Sequence, residues 1–354
     1  MSSDSPQDGI KITLEDLANV QVTDSGPAPI LPAAPAGRSY GTITDASSQA
    51  PAGEKERGSI FLQGWFYLGA AGLAGALAGW AICEPGFVDG ARMNHWGNVL
   101  MVPVLVALMV LAFGIIESVV ERSAKKALIR AAIALPLGIV LGFVFSFFAN
   151  IVFAIALGIC GELGVQSMRN PVFWIARSLA WTVFGVAGGL IYGIIGQSFK
   201  KGKFGVLGGI LGAGIGGILF DPISMGTGGS SAALSRAVGF AIFGVATGVL
   251  MGLVESALKD RWLYVTGGPL AGKQFILYKP QTIIGSEQQC DVYLFKDAAI
   301  LPRHAVLIAN GARMTLRAAG PTLVSGVQVT NRVLLDGDLV QIGRYTFRYK
   351  EKTR

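Results

Sequence analysis

The residue types that carry out most enzyme chemistry are scarce in this sequence. Its 354 residues include two histidines, His95 and His304, and three cysteines far apart, Cys83, Cys160 and Cys290. The cysteines have neither the even number of a disulfide scaffold nor the spacing of a zinc finger, and two histidines leave little for metal or triad chemistry. We therefore predict a protein that is not an enzyme and has no catalytic residue, metal or cofactor.

Two glycine motifs resemble nucleotide-binding sequences but lack the required context. Gly267, Gly272 and Lys273 match the spacing of a P-loop, yet Gln274 replaces the required Ser or Thr and a strand is predicted to follow instead of a helix. We interpret this segment as a hairpin turn. Gly212, Gly214 and Gly217 form a GxGxxG string. This string lies inside an apolar run with no strand before it, which excludes a dinucleotide site.

Long apolar runs make up the middle of the chain and must position any site. Hydrophobic residues are 52% of the sequence and charged residues 14%, against about 25% charged in soluble domains. A helix that crosses the hydrocarbon needs about 20 apolar residues. Six runs have or approach this length: Ile60–Cys83, Asn98–Val119, Ala127–Phe148, Phe173–Gln197, Phe204–Phe220 and Leu234–Glu255. We predict a six-helix membrane domain over residues 59–258, in which Ile151–Gly161 either extends the third helix or lies at the membrane interface.

Basic residues indicate which side of the membrane each break faces. They concentrate before the first run and after the second, fourth and sixth: Lys55, Arg57, Arg122, Lys125, Lys126, Arg130, Lys200, Lys201, Lys203, Lys259 and Arg261. The other breaks carry fewer, Arg92 and Arg169 among them. This bias predicts cytoplasmic termini and an inner or plasma membrane location. It also explains much of the net charge of +7, whose carriers are too scattered for nucleic acid to be a partner.

Ionisable residues occur at the ends of the runs. Glu117 and Glu255 lie at the inner ends, and Glu84 and Asp221 lie at the outer ends. An ion path would place such groups near the middle of a span. We interpret these four as hydrated helix caps and anchors.

The membrane domain contains an internal repeat. At a shift of 59, an arginine, a Phe-Gly-Val-Ala string and two glycines recur: Arg177, Phe184–Ala187, Gly189 and Gly193 become Arg236, Phe243–Ala246, Gly248 and Gly252. At a shift of 137, Gly72, Gly75, Gly79, Glu84 and Pro85 become Gly209, Gly212, Gly216, Asp221 and Pro222. The repeats predict three hairpins of equal orientation. Glycines at this spacing predict close helix packing, either within one chain or in a homo-oligomer.

The chain changes character on both sides of the membrane domain. Residues 1–58 are rich in Ser, Ala, Pro, Gly and Asp, so we predict a disordered cytoplasmic tail. Residues 262–350 contain short alternating runs separated by turn residues, which predict a small all-β sandwich. The segments LYVTGGPLAGKQFIL, TIIGSEQQCDVYLF, PRHAVLI and LLDGDLVQIGRYTFRY together resemble a forkhead-associated (FHA) domain. The resemblance implies a sandwich whose loops at one end bind phosphothreonine peptides.

The phosphate-binding positions of that family are changed here. In the family an Arg follows the first signature glycine, a Ser stands three residues before the His, and an Asn precedes a Gly in a later loop. The corresponding residues are Ser286, Leu301 and Thr330. Arg and hydroxyl donors are what a phosphate requires, so the resemblance in fold does not carry phosphate binding with it.

Other residues of the candidate peptide-binding loops are retained or displaced. Gly285 and His304, which in the family mostly shape the loops, are present. Arg303, Asn331 and Arg332 lie next to the changed positions, and the two arginines are candidates for a rebuilt basic cradle.

The sequence thus predicts a membrane-anchored scaffold that presents an FHA-like domain to a cytoplasmic protein without requiring phosphate. Alternatives are a channel or transporter regulated by the domain, a phosphothreonine-dependent adaptor, or a purely structural appendage. In a self-regulated version, the domain would bind phosphorylated threonines of the tail: Thr13, Thr23, Thr42 or Thr44.

Overall fold

In the part of the chain that the structure describes, six helices are long and apolar enough to cross a membrane. The computed structural model describes residues 59–89, 95–165, 170–226 and 232–352. Within them lie α1 Gly64–Cys83, α2 Trp96–Val120, α3 Ala124–Glu162, α4 Pro171–Ile195, α5 Phe199–Gly226 and α6 Ala232–Leu258. The six predicted helices are confirmed. The predicted tail with its threonines, Arg92 and Arg169 lie outside the described residues.

Helix α3 is longer than its predicted span because polar residues do not end it. The Asn150 amide donates to the carbonyl of Ser146 one turn earlier, at 2.8 Å, so the helix continues through residues 151–161. Near the start of α3, its residue Ala134 approaches Gly114 of α2, and so does Ile195, the last residue of α4. The ten residues of α3 before Ala134 therefore extend about 15 Å along the helix beyond its contact with Gly114.

The helices form a closed ring. Each packs against the next in the chain, and α6 returns to pack against α1. Phe113, Phe184 and Phe243, from α2, α4 and α6, line a central cavity of about 10 Å³. This is about the smallest space that holds one water molecule. The centre of the bundle is thus filled by side chains.

The packing reproduces the sequence repeat. A Cβ on Gly72 would collide with the carbonyl of Gly244, and a Cβ on Gly209 would collide with the carbonyl of Gly185. The first pair joins α1 to α6 and the second joins α5 to α4. Since Gly72 and Gly209, like Gly185 and Gly244, are repeat-related, the same glycine contact is used twice.

Two repeat-related ion pairs mark the end of the bundle that was predicted to face outward. Arg177 contacts Asp221 at 2.5 Å, and Arg236 contacts Glu84 at 2.5 Å. Asp221 is buried, so its interpretation as a hydrated cap is wrong. Arg236 and Glu255 are nineteen residues apart on α6, or about 29 Å along the helix, which matches a hydrocarbon core of about 30 Å.

A two-residue link joins α6 to an all-β sandwich. Its strands are β1 Arg261–Gly267, β2 Gln274–Ile276, β3 Gln281–Gly285, β4 Val292–Tyr293, β5 Ala305–Asn310, β6 Arg313–Ala318, β7 Thr322–Val324, β8 Val327–Gln328, β9 Asn331–Leu334, β10 Leu339–Ile342 and β11 Tyr345–Glu351. One sheet has the order β2-β1-β11-β10-β7-β8 and the other β4-β3-β5-β6-β9. Alternating buried residues such as Leu263, Val265, Phe347 and Tyr349 fill the space between them. The predicted fold class is confirmed.

The P-loop-like segment is a hairpin turn, as predicted. It connects β1 to β2, with Gly268 at φ +101° and Gly272 at φ +94°. These left-handed values favour glycine.

Candidate peptide-binding loops and the interface with the helices

The end of β3 and the segment before β5 bring three of the predicted site residues together: Gly285, Ser286 and Leu301. Ser286 donates its N–H to the carbonyl of Leu301 at 3.0 Å and its hydroxyl to that of Ile300 at 2.8 Å. A Cβ on Gly285 would collide with the Pro302 carbonyl, so glycine is required for this close approach. The hydroxyl that replaces the family's arginine is thus engaged in holding the loop.

His304 is a structural residue of these loops. Its Nδ1 accepts from the Leu301 N–H at 3.1 Å, which leaves the Nε2 proton to be donated to the Pro321 carbonyl at 3.1 Å. The His304 carbonyl accepts from Ala319, and its ring packs on Gly320. With an exposure of 1%, the side chain is unavailable to a peptide.

Thr330, Asn331 and Arg332 belong to a neighbouring connection and the start of β9. The Thr330 carbonyl accepts from Ala318 at 2.8 Å, and Asn331 lies opposite Arg317 on β6. Both Thr330 and Asn331 are exposed. They therefore add to the accessible surface at this end of the sandwich.

The two displaced arginines bond to different parts of the sandwich. Arg332 donates to the Val324 carbonyl at 3.3 Å and lies 4.0 Å from Asp338. The Arg303 side chain is 71% exposed and lies 3.7 Å from Glu287. Among the described residues, no contact joins the arginines into one cradle.

Ser325 is a second candidate for the position that is the Asn of an Asn-Gly pair in the FHA family. From the sequence, this position was predicted to be Thr330. Ser325 and Gly326 form the turn between β7 and β8 with φ of +50° and +81°. A left-handed residue before a glycine fits an Asn-Gly turn better than Thr330, which has no glycine after it. The Ser325 hydroxyl is engaged with Asp338 at 3.0 Å. Nothing in the sequence alone distinguished Ser325 as a residue of the candidate peptide-binding loops.

A polar interface attaches the sandwich to the helices. Lys273 of the β1–β2 turn contacts Glu121 at 2.9 Å, and Lys126 contacts the same carboxylate at 3.0 Å. Burial opposes ionisation of Glu121, but these two lysines outweigh it and hold its pKa below the usual carboxyl value. Lys126 also donates to the Cys290 carbonyl at 3.0 Å. The pair is almost fully enclosed, since the Lys273 side chain is 3% exposed.

The same interface holds the loop that begins at Ser286. The carbonyl of Gln288 accepts from the Ser123 hydroxyl at 3.2 Å, and its side-chain oxygen accepts from the Lys125 N–H at 3.1 Å. Ser123 is the N-cap residue of α3, and Lys125 lies in the first turn of that helix. One end of the candidate peptide-binding loop is therefore fixed to the membrane domain.

Glu117 and Glu255 are enclosed beneath the sandwich, so their interpretation as hydrated caps is wrong. The Tyr192 hydroxyl lies 2.8 Å from Glu117 Oε1 and 2.9 Å from Glu255 Oε2. The Tyr278 hydroxyl donates to Glu255 Oε1 at 2.6 Å. Burial and the Glu255 charge raise the pKa of Tyr278 far above that of a free phenol, so it remains a donor. The sequence gave no signal for this cluster because its members come from distant segments.

A cavity of about 110 Å³ lies within this interface. Helices α1, α2, α3, α5 and α6 contribute to its lining together with the β1–β2 turn and the β2–β3 connection. Its charged lining residues are Glu117, Glu121, Lys126, Arg130, Lys201, Glu255, Lys273, Lys279 and Asp291.

Comparison with known proteins places the similarity in the sandwich. A family model described as "Inner membrane component of T3SS, cytoplasmic domain" matches residues 264–353. The glycogen accumulation regulator GarA of Mycolicibacterium smegmatis is 35% identical over 86 residues, which are 23% of this chain and 54% of that protein. The oxoglutarate dehydrogenase inhibitor of Corynebacterium efficiens is 33% identical over 86 residues, 23% of this chain and 60% of that protein. This chain therefore spans little more than half the length of either relative.

Similarity to a solved structure is also limited to about a quarter of the chain. The FHA domain of the CT664 protein from Chlamydia trachomatis is 24% identical, with a TM-score of 0.25, and the match covers 27% of this chain and all of that domain. The predicted recognition is confirmed: the chain combines apolar membrane helices with a C-terminal FHA-like domain.

Proposed function

We propose that this protein is a membrane-anchored scaffold that presents its FHA-like domain to a cytoplasmic protein partner. Both termini are cytoplasmic, and the loop end of the sandwich binds the partner without requiring phosphate. The observation that carries the proposal is that the domain is fixed to the helices by enclosed ion pairs while Leu301 and Arg303 of its loop end remain 43% and 71% exposed.

The attachment gives the scaffold its mechanism. The link of Lys259 and Asp260 is too short for free rotation, and the contacts of Gln288 and Lys273 oppose separation. A domain held at the membrane has a raised effective concentration toward other membrane-associated proteins. Modest loop affinity is then sufficient for binding.

The cytoplasmic placement rests on charge. The loops on the side of the sandwich carry the basic clusters, in agreement with the positive-inside bias. The matched family is described as cytoplasmic domains of inner-membrane components, which agrees with the same placement.

Phosphate independence rests on the loop chemistry. Ser286 is engaged with Ile300, and Leu301 offers an apolar side chain where the family has a hydroxyl. An exposed apolar group beside a cation suits a protein surface. The relative that is named an inhibitor of oxoglutarate dehydrogenase offers a precedent for a related domain that acts on another protein.

The filled centre of the bundle favours a scaffold over a channel formed by one chain. The cavity at the centre is about 10 Å³ and is lined mostly by apolar side chains, with Phe113 and Phe243 almost fully buried. A conducting path would require water and polar groups through this region.

The test is capture of cytosolic proteins by the full chain in nanodiscs, with and without phosphatase treatment of the cytosol. Arg303→Glu is the loop variant. Arg313→Glu is the matched control, because Arg313 is also exposed but lies at the other end of the β5–β6 hairpin. We expect a partner that survives dephosphorylation and is lost only with Arg303→Glu. Loss on dephosphorylation would favour the phosphothreonine adaptor, and equal capture by both variants would refute binding at the loop end.

A further inference from the structure

The charged cavity between the helices and the sandwich has an excess of positive charge. Its lining contains five cationic side chains, Lys126, Arg130, Lys201, Lys273 and Lys279, and four carboxyl groups, Glu117, Glu121, Glu255 and Asp291. An enclosed charge without a counter-charge is costly. The lining therefore favours an additional negative group.

The acceptors of the cavity are already engaged. For Glu121, Oε1 accepts from Lys273 and Oε2 from Lys126. The oxygens of the other three carboxyl groups lie within hydrogen-bond distance of Lys201, Tyr192, Arg130, Tyr278, Lys279 and the N–H of Ile283. A metal cation would have to displace these donors.

The donors of the cavity are not all engaged. Lys201 and Lys273 each contact one carboxylate and one aromatic face, Tyr192 and Phe275 respectively, although an ammonium group carries three N–H bonds. Arg130 donates through Nη1 to a carboxylate, and its Nε and Nη2 have no partner among the described residues. The cavity therefore offers available N–H donors, and the chemistry that suits them is that of an acceptor.

The contacts of the Tyr192 hydroxyl add to the excess of positive charge in the cavity. It lies within hydrogen-bond distance of Glu117 and Glu255 but has a single proton. Both hydrogen bonds can form only if one carboxyl group supplies the second proton. The cavity then carries one negative charge fewer than its carboxyl count.

From these contacts we infer that the cavity binds a phosphate-bearing anion through Arg130, Lys201 and Lys273, with Lys279 beside it. Its volume of about 110 Å³ has room for several water molecules or one tetrahedral oxyanion. Phosphate oxygens accept charge-assisted hydrogen bonds from guanidinium and ammonium groups. The anion is either free phosphate or the phosphomonoester headgroup of a lipid. The site is separate from the loop end and does not depend on the proposed scaffold function.

The test is the thermal unfolding and titration calorimetry of the purified full chain at constant ionic strength. The probes are inorganic phosphate in detergent and phosphatidic acid in nanodiscs, with phosphatidylcholine nanodiscs as the reference. The variants are Arg130→Gln and Lys279→Gln. The matched control is Arg303→Gln, at the loop end. Lys279 is 29% exposed, so its variant retains the fold if Arg130→Gln does not.

We expect saturable stabilisation that weakens at least about tenfold in Arg130→Gln, the factor for one lost charge-assisted hydrogen bond. Lys279→Gln should weaken it too, and Arg303→Gln should not. Inorganic phosphate as the effective probe identifies free phosphate, and phosphatidic acid alone identifies the lipid. No saturable response to either probe, or a response lost in Arg303→Gln and kept in the cavity variants, would overturn the inference.

Discussion

Replacing Lys273 with methionine should release the sandwich from the helices. The change keeps the apolar stem but removes the charge that contacts Glu121 at 2.9 Å. Their side chains are 3% and 7% exposed, so bulk water reaches the lost partner's position poorly. Removing one partner of a buried pair costs about 3–5 kcal/mol. Because Lys126 still contacts Glu121, we expect about 3 kcal/mol, or a roughly 100-fold increase in the open state.

Hydrogen exchange in nanodiscs measures this opening directly. The amides of β2, Gln274–Ile276, should lose protection in Lys273→Met. Lys200→Met is the matched control: its pair with Asp260 also joins the helices to the link, but the side chains are 42% and 49% exposed, so the expected cost is only about 0–1 kcal/mol.

A double variant separates the lost contact from the stranded charge. Glu121→Gln with Lys273→Met leaves neither buried charge unpaired, and Lys126 retains the Cys290 carbonyl. Most of the protection should return. Equal exchange in Lys273→Met and Lys200→Met, or no recovery in the double variant, would refute the reasoning.

Three further predictions concern acid, glycine packing and a buried hydroxyl. Folding lowers the pKa of Glu121, so its contribution to docking is complete above the usual carboxyl pKa of about 4.3 and is lost as pH falls through the lowered value. Protection of the β2 amides should therefore persist to below about pH 4. Loss of that protection at pH 6 would contradict this. Gly72→Ala should lower the unfolding temperature in detergent because its Cβ meets helix backbone, whereas Gly158→Ala, which has open space, should be neutral or slightly stabilising; equal shifts would contradict the packing. Tyr278→Phe should weaken docking by about 1–3 kcal/mol because a buried hydrogen bond is lost. Tyr293→Phe should not weaken it, because the Tyr293 hydroxyl bonds to no described residue. Hydrogen exchange of the β2 amides measures both variants, and equal effects would refute the role of the Tyr278 hydroxyl.

The helices and the repeat could be predicted because their signals are local. An apolar run of sufficient length becomes a helix in lipid, where no other arrangement satisfies the backbone. The repeat-related glycines Gly72 and Gly209 occupy equivalent contacts because each repeat packs the same way. The end of α3 was less certain in sequence, since the side chain of Asn150 can either terminate a helix or bond back to it.

The interface could not be predicted because its partners are far apart in sequence. Lys273 is 152 residues from Glu121, and no spacing rule relates them. In sequence, Glu117 and Glu255 lie at span ends where water is expected. Only the position of the sandwich determines that they are enclosed, and that position follows from tertiary packing.

Cysteine cross-linking between Ser123 and Gln288 tests most directly whether the sandwich is docked on the helices at the α2–α3 connection. The Ser123 hydroxyl lies 3.2 Å from the Gln288 carbonyl. The full chain with Ser123→Cys and Gln288→Cys would be oxidised in native membranes and analysed by gel mobility, with Ser123→Cys and Arg313→Cys as the matched pair. The docked arrangement predicts an efficient intramolecular cross-link in the first pair and little in the second. Equal cross-linking in both pairs, or none in the first, would contradict it.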